Sequence, residues 1–445
     1  MLWERACPAI GSKPMIDLKN TLSPWLNAPA WCVALSGGLD STVLLHLLVS
    51  LSRQQSLPPL RVIHIHHGLQ AAADAWPAHC QRLCDDLGVE LRIIHVTVSP
   101  GASLEQGARD ARYAAFAQAL RPSEVLLTGQ HREDQAETLL FRLLRGTGLR
   151  GLGAMPEQRP LGQGVLVRPL LGVARHDLED YARAQGLSWV EDPSNSDLQF
   201  SRNYLRHQVF PTLLQRWPQA AQNLARCAEH LSEAQGLLDE LALQDLAQAA
   251  TPAPFDWLGL DSLDVSVLQR LSAPRQRNAL QFWLAQRTRL PDARHWAGWE
   301  SLRDAASDGR PLWRLTDGEL HRSHARIWWL AGPWLKTPTP QRCWPDPAVP
   351  LALGDNGSVS LSGTLPQGAL RIAYRQGGET LAVSGRGQRD LKRLFNELQL
   401  PAFVRGRLPL LYCDEQLVAV ANLPQLSQGA WQLHWCVPTS AQGLR

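Results

Sequence analysis

The feature that most constrains the fold is a glycine-containing turn between an apolar strand pattern and a helical pattern. Residues 31–35 are predicted to form a buried strand, and residues 43–51 repeat apolar side chains at helical spacing. The turn consists of Ser36, Gly37, Gly38, Leu39, Asp40, Ser41 and Thr42. Glycines let backbone N–H groups approach an anion, hydroxyl groups add donors, and the helix N-terminus contributes the positive end of its dipole. Segment 36–41 is therefore predicted to be a phosphate-binding loop.

Asp40 is the acidic residue of this loop. A carboxylate alone would repel phosphate, so we interpret Asp40 as a partner for Mg²⁺ or another bound cation. The simpler alternative is that Asp40 or Ser41 only caps the following helix. A kinase-type phosphate loop requires Gly-Lys followed by Ser or Thr, and no lysine of this chain follows a glycine. The pattern therefore indicates a different type of ATP-binding loop.

Strand-like and helical patterns alternate through the first part of the chain. Strands are predicted at 31–35, 61–66, 90–96 and 124–128, with helices at 43–51, 78–87 and 104–120. Such alternation is typical of an α/β domain in which helices cover both faces of a parallel sheet. Ligands of such sheets bind at the carboxyl ends of the strands, so the functional site is expected there.

Periodicity and composition change after residue 216. Residues 223–250 repeat apolar side chains at helical spacing, and prolines crowd residues 333–350. We predict a catalytic α/β domain at 16–216, followed by a helical middle domain. The helical middle domain is predicted at 217–332. A semi-rigid proline-rich linker follows at 333–350, and a small α+β C-terminal domain at 351–445.

Composition limits the class of protein. The 445 residues carry a net charge of only +3, so the chain as a whole is not the strongly basic type of nucleic-acid-binding protein. No apolar run approaches the about 18 residues of a membrane span, and residues 1–20 lack the apolar centre of a secretory signal. The eight cysteines are scattered, which does not indicate a disulfide scaffold. We expect a cytoplasmic protein with no membrane partner and no evident protein partner. Met15 is an alternative start of translation.

Charged side chains at helical spacing supply candidate site residues. Asp134 and Glu137 are three residues apart, so both carboxylates should emerge on one helix face and could bind an ammonium group. The alternative is a solvated first helical turn that is rich in acids. Arg109 and Arg112 lie one turn apart near a strand end and could contact phosphate or carboxylate. Arg202 and Arg206 form a second such pair, and surface salt bridging is the alternative for both pairs.

Together these segments closely resemble the tRNA(Ile)-lysidine synthetase family of pyrophosphate-loop ATP pyrophosphatases. The resemblance is carried, in order along nearly the whole chain, by residues 36–41, 62–69, 105–113, 129–138, 145–148, 191–195, 202–203, 377–379, 385–386 and 391–395. Other pyrophosphate-loop families share the first of these motifs without the rest. The family usually has a pair of histidines and a pair of aspartates where this chain has Gln130-His131 and Glu133-Asp134.

The resemblance implies an adenine nucleotide α-hydrolase-like fold and a two-step reaction. The anticodon wobble cytidine of an isoleucine tRNA with a CAU anticodon is first adenylated by ATP with Mg²⁺, and free L-lysine then replaces AMP. It implies that Asp134 and Glu137 hold the amino groups of lysine, the closer one accepting a proton. Arg109, Arg112 or Arg202 would contact the carboxylate of lysine or the adenylate phosphate, and the ligands of any metal are left open.

A basic segment in the predicted C-terminal domain is a candidate RNA-binding surface. Residues 386–407 contain six basic and two acidic side chains. Arg389, Lys392 and Arg393 are predicted to share a helix face opposite apolar residues, although a merely solvated face is the alternative.

Two rival functions also remain at this stage. A tRNA-thiolating or amidating enzyme would share the phosphate loop, but thiolation usually brings paired cysteines. A non-catalytic RNA-binding protein would not need Asp40 within the loop.

Overall fold

The computed structural model describes most of the chain in two compact units that meet in sequence at Gly236 and Leu237. The described residues are 16–68, 71–98, 104–251, 254–290, 295–306, 309, 311–339, 342–383, 385–429 and 431–439. The alternative start at Met15 lies outside them. Among the described residues, no helix is both long and apolar enough to cross a membrane.

The first unit is built on a six-stranded sheet with the order β3-β2-β1-β4-β6-β5. Its strands are β1 (Trp31–Ala34), β2 (Leu60–His66), β3 (Glu90–His95), β4 (Val125–Leu127), β5 (Gln158–Leu161) and β6 (Gly164–Val167). All neighbouring strands are parallel except β5 and β6, which form an antiparallel hairpin at one edge. The four predicted strands and the parallel arrangement are confirmed. The edge hairpin was not predicted.

Helices cover both faces of this sheet, as predicted. The helices of this part of the chain are α1 (Lys19–Leu22), α2 (Leu39–Ser52), α3 (Trp76–Leu87), α4 (Leu104–Ala119), α5 (Arg132–Leu144), α6 (Leu149–Leu152), α7 (Arg175–Ala184), α8 (Ser201–Tyr204), α9 (Phe210–Arg216) and α10 (Ala220–Ala249), of which α10 continues past the end of the first unit at Gly236. A π-helical turn, Leu205–Val209, joins α8 to α9. Alternation along β1 explains the two layers, because Trp31 and Val33 pack into the core cluster that contains α2, whereas Cys32 packs into the one that contains α4.

The second unit begins with helices that pack against a four-stranded antiparallel sheet. The helices are α11 (Val265–Gln269), α12 (Ala273–Ala285) and α13 (Ala297–Asp304), and the strands are β7 (Ser262–Asp264), β8 (Leu312–Arg314), β9 (Glu319–Ser323) and β10 (Arg326–Leu330). The strand order is β7-β10-β9-β8. The helical character of this region is confirmed, and the sheet is a structural feature that the helical periodicity did not indicate.

The rest of the second unit is an α+β arrangement of antiparallel strands with two short helices. Its elements are β11 (Arg342–Cys343), β12 (Leu351–Ala352), β13 (Ser358–Gly363), β14 (Leu370–Ala373), β15 (Thr380–Val383), β16 (Gly387–Asp390), α14 (Leu391–Glu397), α15 (Ala402–Arg405), β17 (Leu410–Cys413), β18 (Gln416–Val420) and β19 (Trp431–Cys436). Trp334 and Trp344, from the proline-rich segment 333–350, are buried in the same core cluster as Leu258 and Trp435.

Candidate active site

The phosphate loop lies between β1 and α2, at the carboxyl end of a central strand. The Ser41 hydroxyl accepts a hydrogen bond from the backbone N–H of Ser36 (3.1 Å) and donates one to the carbonyl of Gly38 (3.1 Å). The Ser36 hydroxyl accepts from the N–H of Gly38 at 3.3 Å. Gly37 has a φ of +87°, a conformation that side chains rarely adopt. These hydrogen bonds fix the conformation of the loop.

Two glycines allow the surrounding chain to approach this loop closely. A Cβ atom on Gly37 would lie 3.0 Å from Val190 Cγ2 and 3.1 Å from Cys80 Sγ. A Cβ atom on Gly129, which follows β4, would lie 3.0 Å from the carbonyl group of Asp40 and 3.1 Å from the nitrogen of Ser41. The segment after β4 therefore packs directly against the start of α2, and side-chain atoms at Gly129 would displace the phosphate loop.

Substitution of Gly129 by Ala should raise the KM for ATP while leaving the fold intact. The added methyl group meets backbone atoms, which cannot turn away as a side chain can, so the loop must shift by a few tenths of an ångström. Steady-state kinetics should show about a tenfold effect, the result of about 1.4 kcal/mol of lost binding. Gly172→Ala is the matched control, because its added Cβ meets no atom within 4 Å. An unchanged KM for ATP would contradict the packing argument.

Asp40 lies at the first turn of α2 in a half-buried position. Burial, with a smaller contribution from Asp134, raises the pKa of its carboxyl group, and His131 opposes this rise. Its Oδ1 atom is buried and has no hydrogen-bond partner. A buried carboxylate oxygen without a donor is a suitable ligand for a hard cation, so Asp40 fits the role of a magnesium ligand.

A cavity of about 570 Å³ opens beside the loop. It brings together most of the predicted catalytic and nucleotide-binding residues from distant parts of the sequence, and these are Ser36, Asp40, Ser41, Arg109, Arg112, Asp134 and Arg202. His64, His66 and His67 also line it. Burial is the main cause that lowers the pKa of Arg112, and Arg109 and Arg202 contribute as like charges. An electropositive wall of this kind favours phosphate or carboxylate groups.

His131 occupies the N-cap position of α5 and connects several acidic groups. Its Nδ1 atom is 3.1 Å from Glu133 Oε2, and its Nε2 atom is 3.5 Å from Asp134 Oδ2 and 3.8 Å from Asp40 Oδ2. Burial alone would lower the pKa of His131, but Asp134, Glu133 and Asp40 outweigh it and raise the pKa. A protonated His131 therefore offsets part of the repulsion between Asp40 and Asp134.

Asp134 and Glu137 emerge on one face of α5, as predicted, and two arginines of the α8–α9 segment bind both of them. Asp134 Oδ1 accepts hydrogen bonds from Arg206 at 2.9 Å and Arg202 at 3.3 Å. Glu137 is only 3% exposed, and its carboxylate accepts from Arg206 at 2.7 and 2.9 Å and from Arg202 at 3.1 Å. Burial would raise the pKa of Asp134, but His131, Arg202 and Arg206 together lower it.

Sequence analysis did not assign site roles to His131 and Glu133, and it did not predict that Arg206 pairs with the acids of α5. Arg206 belongs to the π-helical turn and contacts acids about 70 positions earlier in the sequence, so no local pattern marks the contact. A usable signal existed for His131, because it follows a strand whose carboxyl end lies next to the phosphate loop. The grouping of half-buried acidic side chains around His131 could be recognised only once the fold was known.

The C-terminal basic residues lie on the second unit. Lys392 and Arg393 are exposed in the first turn of α14, whose N-cap is Asp390. Arg389 is in strand β16, so the prediction that all three share one helix face was wrong for this residue. The physical reason is that the Asp390 side chain accepts a hydrogen bond from the N–H of Arg393 and starts the helix after Arg389. Arg386 forms an ion pair with Glu397 at 2.9 Å.

Comparison with known proteins agrees with this geometry. The model of the PP-loop domain matches residues 12–213, which defines the first unit as that of an ATP-using pyrophosphate-loop enzyme. Models of the TilS substrate binding domain and the TilS substrate C-terminal domain match residues 263–328 and 370–435. The chain belongs to the tRNA(Ile)-lysidine synthase family, and the predicted family is thereby confirmed.

Three relatives named tRNA(Ile)-lysidine synthase illustrate the range of similarity. The protein of Pseudomonas putida is 69% identical, over 95% of this chain and 99% of its own length. That of Pseudomonas aeruginosa is 58% identical, over 96% of this chain and 98% of its own. That of Salmonella typhi is 39% identical, over 89% of this chain and 93% of its own length. The similarity therefore includes both structural units.

Proposed function

We propose that this protein forms lysidine at the wobble cytidine of an isoleucine tRNA with a CAU anticodon, using ATP, Mg²⁺ and free L-lysine in the cytoplasm. The observation that carries the proposal is the single cavity shared by the phosphate loop, Asp40, Asp134 and a group of arginines. The family membership supports the substrate assignment. ATP as co-substrate follows from the type of loop, whereas the anticodon and the amino acid are inferred from the family.

In the first step, the C2 oxygen of the cytidine attacks the α-phosphate of ATP and pyrophosphate leaves. The N–H groups and hydroxyls of residues 36–41 hold the phosphates and stabilise the charge that develops on pyrophosphate. A bound Mg²⁺ supplies additional positive charge there, and Asp40 is the residue that would hold it. Arg109 and Arg112 line the cavity and are available for the adenylate phosphate or for the carboxylate of lysine.

In the second step, the ε-amine of lysine attacks C2 and AMP leaves. The ammonium form has a pKa of about 10.4 and must lose a proton before attack. We keep Asp134 and Glu137 as the proposed acidic site for the amino groups of lysine, with distinct positions. Asp134 lines the cavity, whereas Glu137 is buried and paired through both oxygens. An ammonium group at Asp134 would share it with Arg202, which makes the longer of the two arginine contacts.

The decisive experiment supplies the purified protein with ATP, Mg²⁺, labelled lysine and purified tRNAs. We expect lysine to enter the isoleucine tRNA with the CAU anticodon, with one AMP and one pyrophosphate released for each lysine. A thiolating enzyme would instead require a sulfur donor, and an RNA-binding protein would release no AMP. Lysine-independent base modification, or no incorporation into this tRNA, would contradict the proposal.

Neutralising Arg389, Lys392 and Arg393 together should raise the KM for tRNA and leave the KM values for ATP and lysine nearly unchanged. Each lost phosphate contact should reduce the salt dependence of tRNA binding by about one unit of log–log slope. Filter binding at several salt concentrations measures this slope. Arg314→Gln is a control in the same unit, since Arg314 is exposed and paired with Glu319. An unchanged tRNA slope would identify the three residues as a solvated surface only.

A further inference from the structure

A group of arginines surrounds one tyrosine at the side of the active-site cavity. The guanidinium carbon of Arg109 is 5.0 Å from the centre of the Tyr113 ring, and that of Arg159 is 4.7 Å from it. Arg168 lies close enough to Tyr113 for its charge to lower the pKa of the phenol, and Arg142 lies close enough to Arg109 for their charges to interact. We call Tyr113 and these four arginines the Tyr113 cluster.

Among the residues that the structure describes, the positive charge of the Tyr113 cluster has no carboxylate partner. Within the ranges that the structure describes, none of its four arginines forms an ion pair with an acidic side chain. Arg168 is 3% exposed and donates to the carbonyl of Pro156, and Arg142 donates to the carbonyls of Gly151 and Ala154. These arginines therefore rest on neutral acceptors and keep their full charge.

Electrostatics within the Tyr113 cluster agree with this description. Burial lowers the pKa of Arg142 and Arg168, and neighbouring arginines lower it further. Burial alone would raise the pKa of Tyr113, but Arg109 and Arg168 outweigh it and lower the pKa. Three arginines beside one phenol, with a fourth beside Arg109, hold like charges close together, which is unfavourable unless an anion binds near them.

The position of the cluster separates it from the ATP phosphates. Arg159 lies on β5, at the edge of the sheet, whereas the phosphate loop follows β1, three strands away. Three strand spacings amount to about 14 Å. Arg109 and Tyr113 nevertheless line the cavity. The cluster thus runs from the cavity wall towards the sheet edge.

We propose that the Tyr113 cluster binds backbone phosphates of the single-stranded RNA loop that presents the cytidine. This inference rests on the proposed function and adds a second phosphate-binding surface, on the catalytic unit itself. The cation–π contacts with the Tyr113 ring hold the Arg109 and Arg159 guanidinium groups beside it, where their N–H groups could form bidentate contacts with phosphate oxygens. A nucleic-acid backbone, with its regularly spaced phosphates, matches such an extended group of cations better than a single small anion does.

The test compares Arg159→Gln with the wild-type protein on an anticodon stem-loop RNA. Arg159 is distant from the phosphate loop, so the substitution should raise the KM for this RNA about tenfold and reduce its salt slope by about 0.7, the value for one single-strand contact. The KM for ATP should not change. Arg159→Lys keeps the charge and should recover most of the salt slope. Arg183→Gln is the control, because Arg183 is exposed and paired with Glu179.

Each result has a distinct meaning. Neutralising Arg389, Lys392 and Arg393 should weaken binding of full-length tRNA only, whereas Arg159→Gln should weaken binding of both RNAs. An unchanged salt slope in Arg159→Gln, with an active wild-type protein, would overturn the RNA-binding role of the cluster. A raised KM for ATP instead would assign the cluster to the nucleotide and equally overturn it. A wild-type protein that forms no lysidine would refute the proposed function, and stem-loop binding by Arg159→Gln would still test the cluster.

Discussion

The Asp40→Asn variant should adenylate its substrate about 10² to 10³ times more slowly than the wild type. Its melting temperature should stay at or above that of the wild type. The rate falls because the variant lacks the carboxylate that we assign to the cation beside the ATP phosphates, and a single group that stabilises developing charge has an effect of this size. Stability does not fall because burial raises the pKa of Asp40, which means that its ionised form is less favourable in the fold than in water.

The measurement is release of AMP and pyrophosphate in the presence of tRNA, together with a thermal melt. Asp86→Asn is the matched control, because Asp86 is an exposed aspartate near the end of helix α3. It should change neither quantity. Near-normal turnover in Asp40→Asn would remove Asp40 from the mechanism, and a large fall in melting temperature would show that the loop depends on its charge.

Glu137→Ala should destabilise the first unit by about 3 kcal/mol and abolish lysine transfer. The substitution leaves Arg202 and Arg206 without the buried carboxylate that orients them, and breaking a buried ion pair from one side costs about 3–5 kcal/mol. The lower end of this range of destabilisation applies because both arginines are partly solvated. For a unit of this size the melting temperature should fall by about 6 to 12 °C.

A surface pair provides the control for Glu137. Glu179 binds Arg175 and Arg183 on the exposed side of α7, so Glu179→Ala should cost less than about 1 kcal/mol. If Glu137→Ala melted like the wild type, the ion-pair network would not be a stabilising element. If it kept full lysine transfer at a temperature where it is folded, the arrangement of the two arginines would have no part in the second step.

Local features of the site could be predicted from the sequence, and features formed by distant contacts could not. Residues 36–41 combine glycine, hydroxyl and strand–helix context within a few positions, so the turn between a strand and a helix could be predicted there, and its phosphate-binding role stays a prediction. The pairing of Glu137 with Arg206 joins positions 69 residues apart through a π-helical turn, and no short pattern contains that information. Pairs such as Asp134 and Glu137 therefore indicated an acidic face but gave no indication of its arginine partners.

The same limit explains two errors of detail in the fold. Strand β5 carries Gln158, Arg159 and Pro160, which do not resemble a strand in composition, and it is ordered by pairing with β6 at the sheet edge. Arg389 was expected in a helix because basic and apolar residues alternate around it. The capping bond of Asp390 and the pairing of Arg389 with Leu381 place it in a strand instead.

The shared core of the second unit has a consequence for how the protein is made. Leu258 belongs to the same apolar cluster as Trp435, and β13 pairs along its whole length with β19, which lies about 70 residues later. These contacts form only after nearly the whole chain has left the ribosome, whereas the first unit can close once its own residues have emerged. A messenger that ends early, even a few dozen codons before its stop, would therefore yield a folded ATP-binding half joined to an uncompleted, apolar second half. Such a product would be a substrate for chaperones and proteases rather than a partly active enzyme.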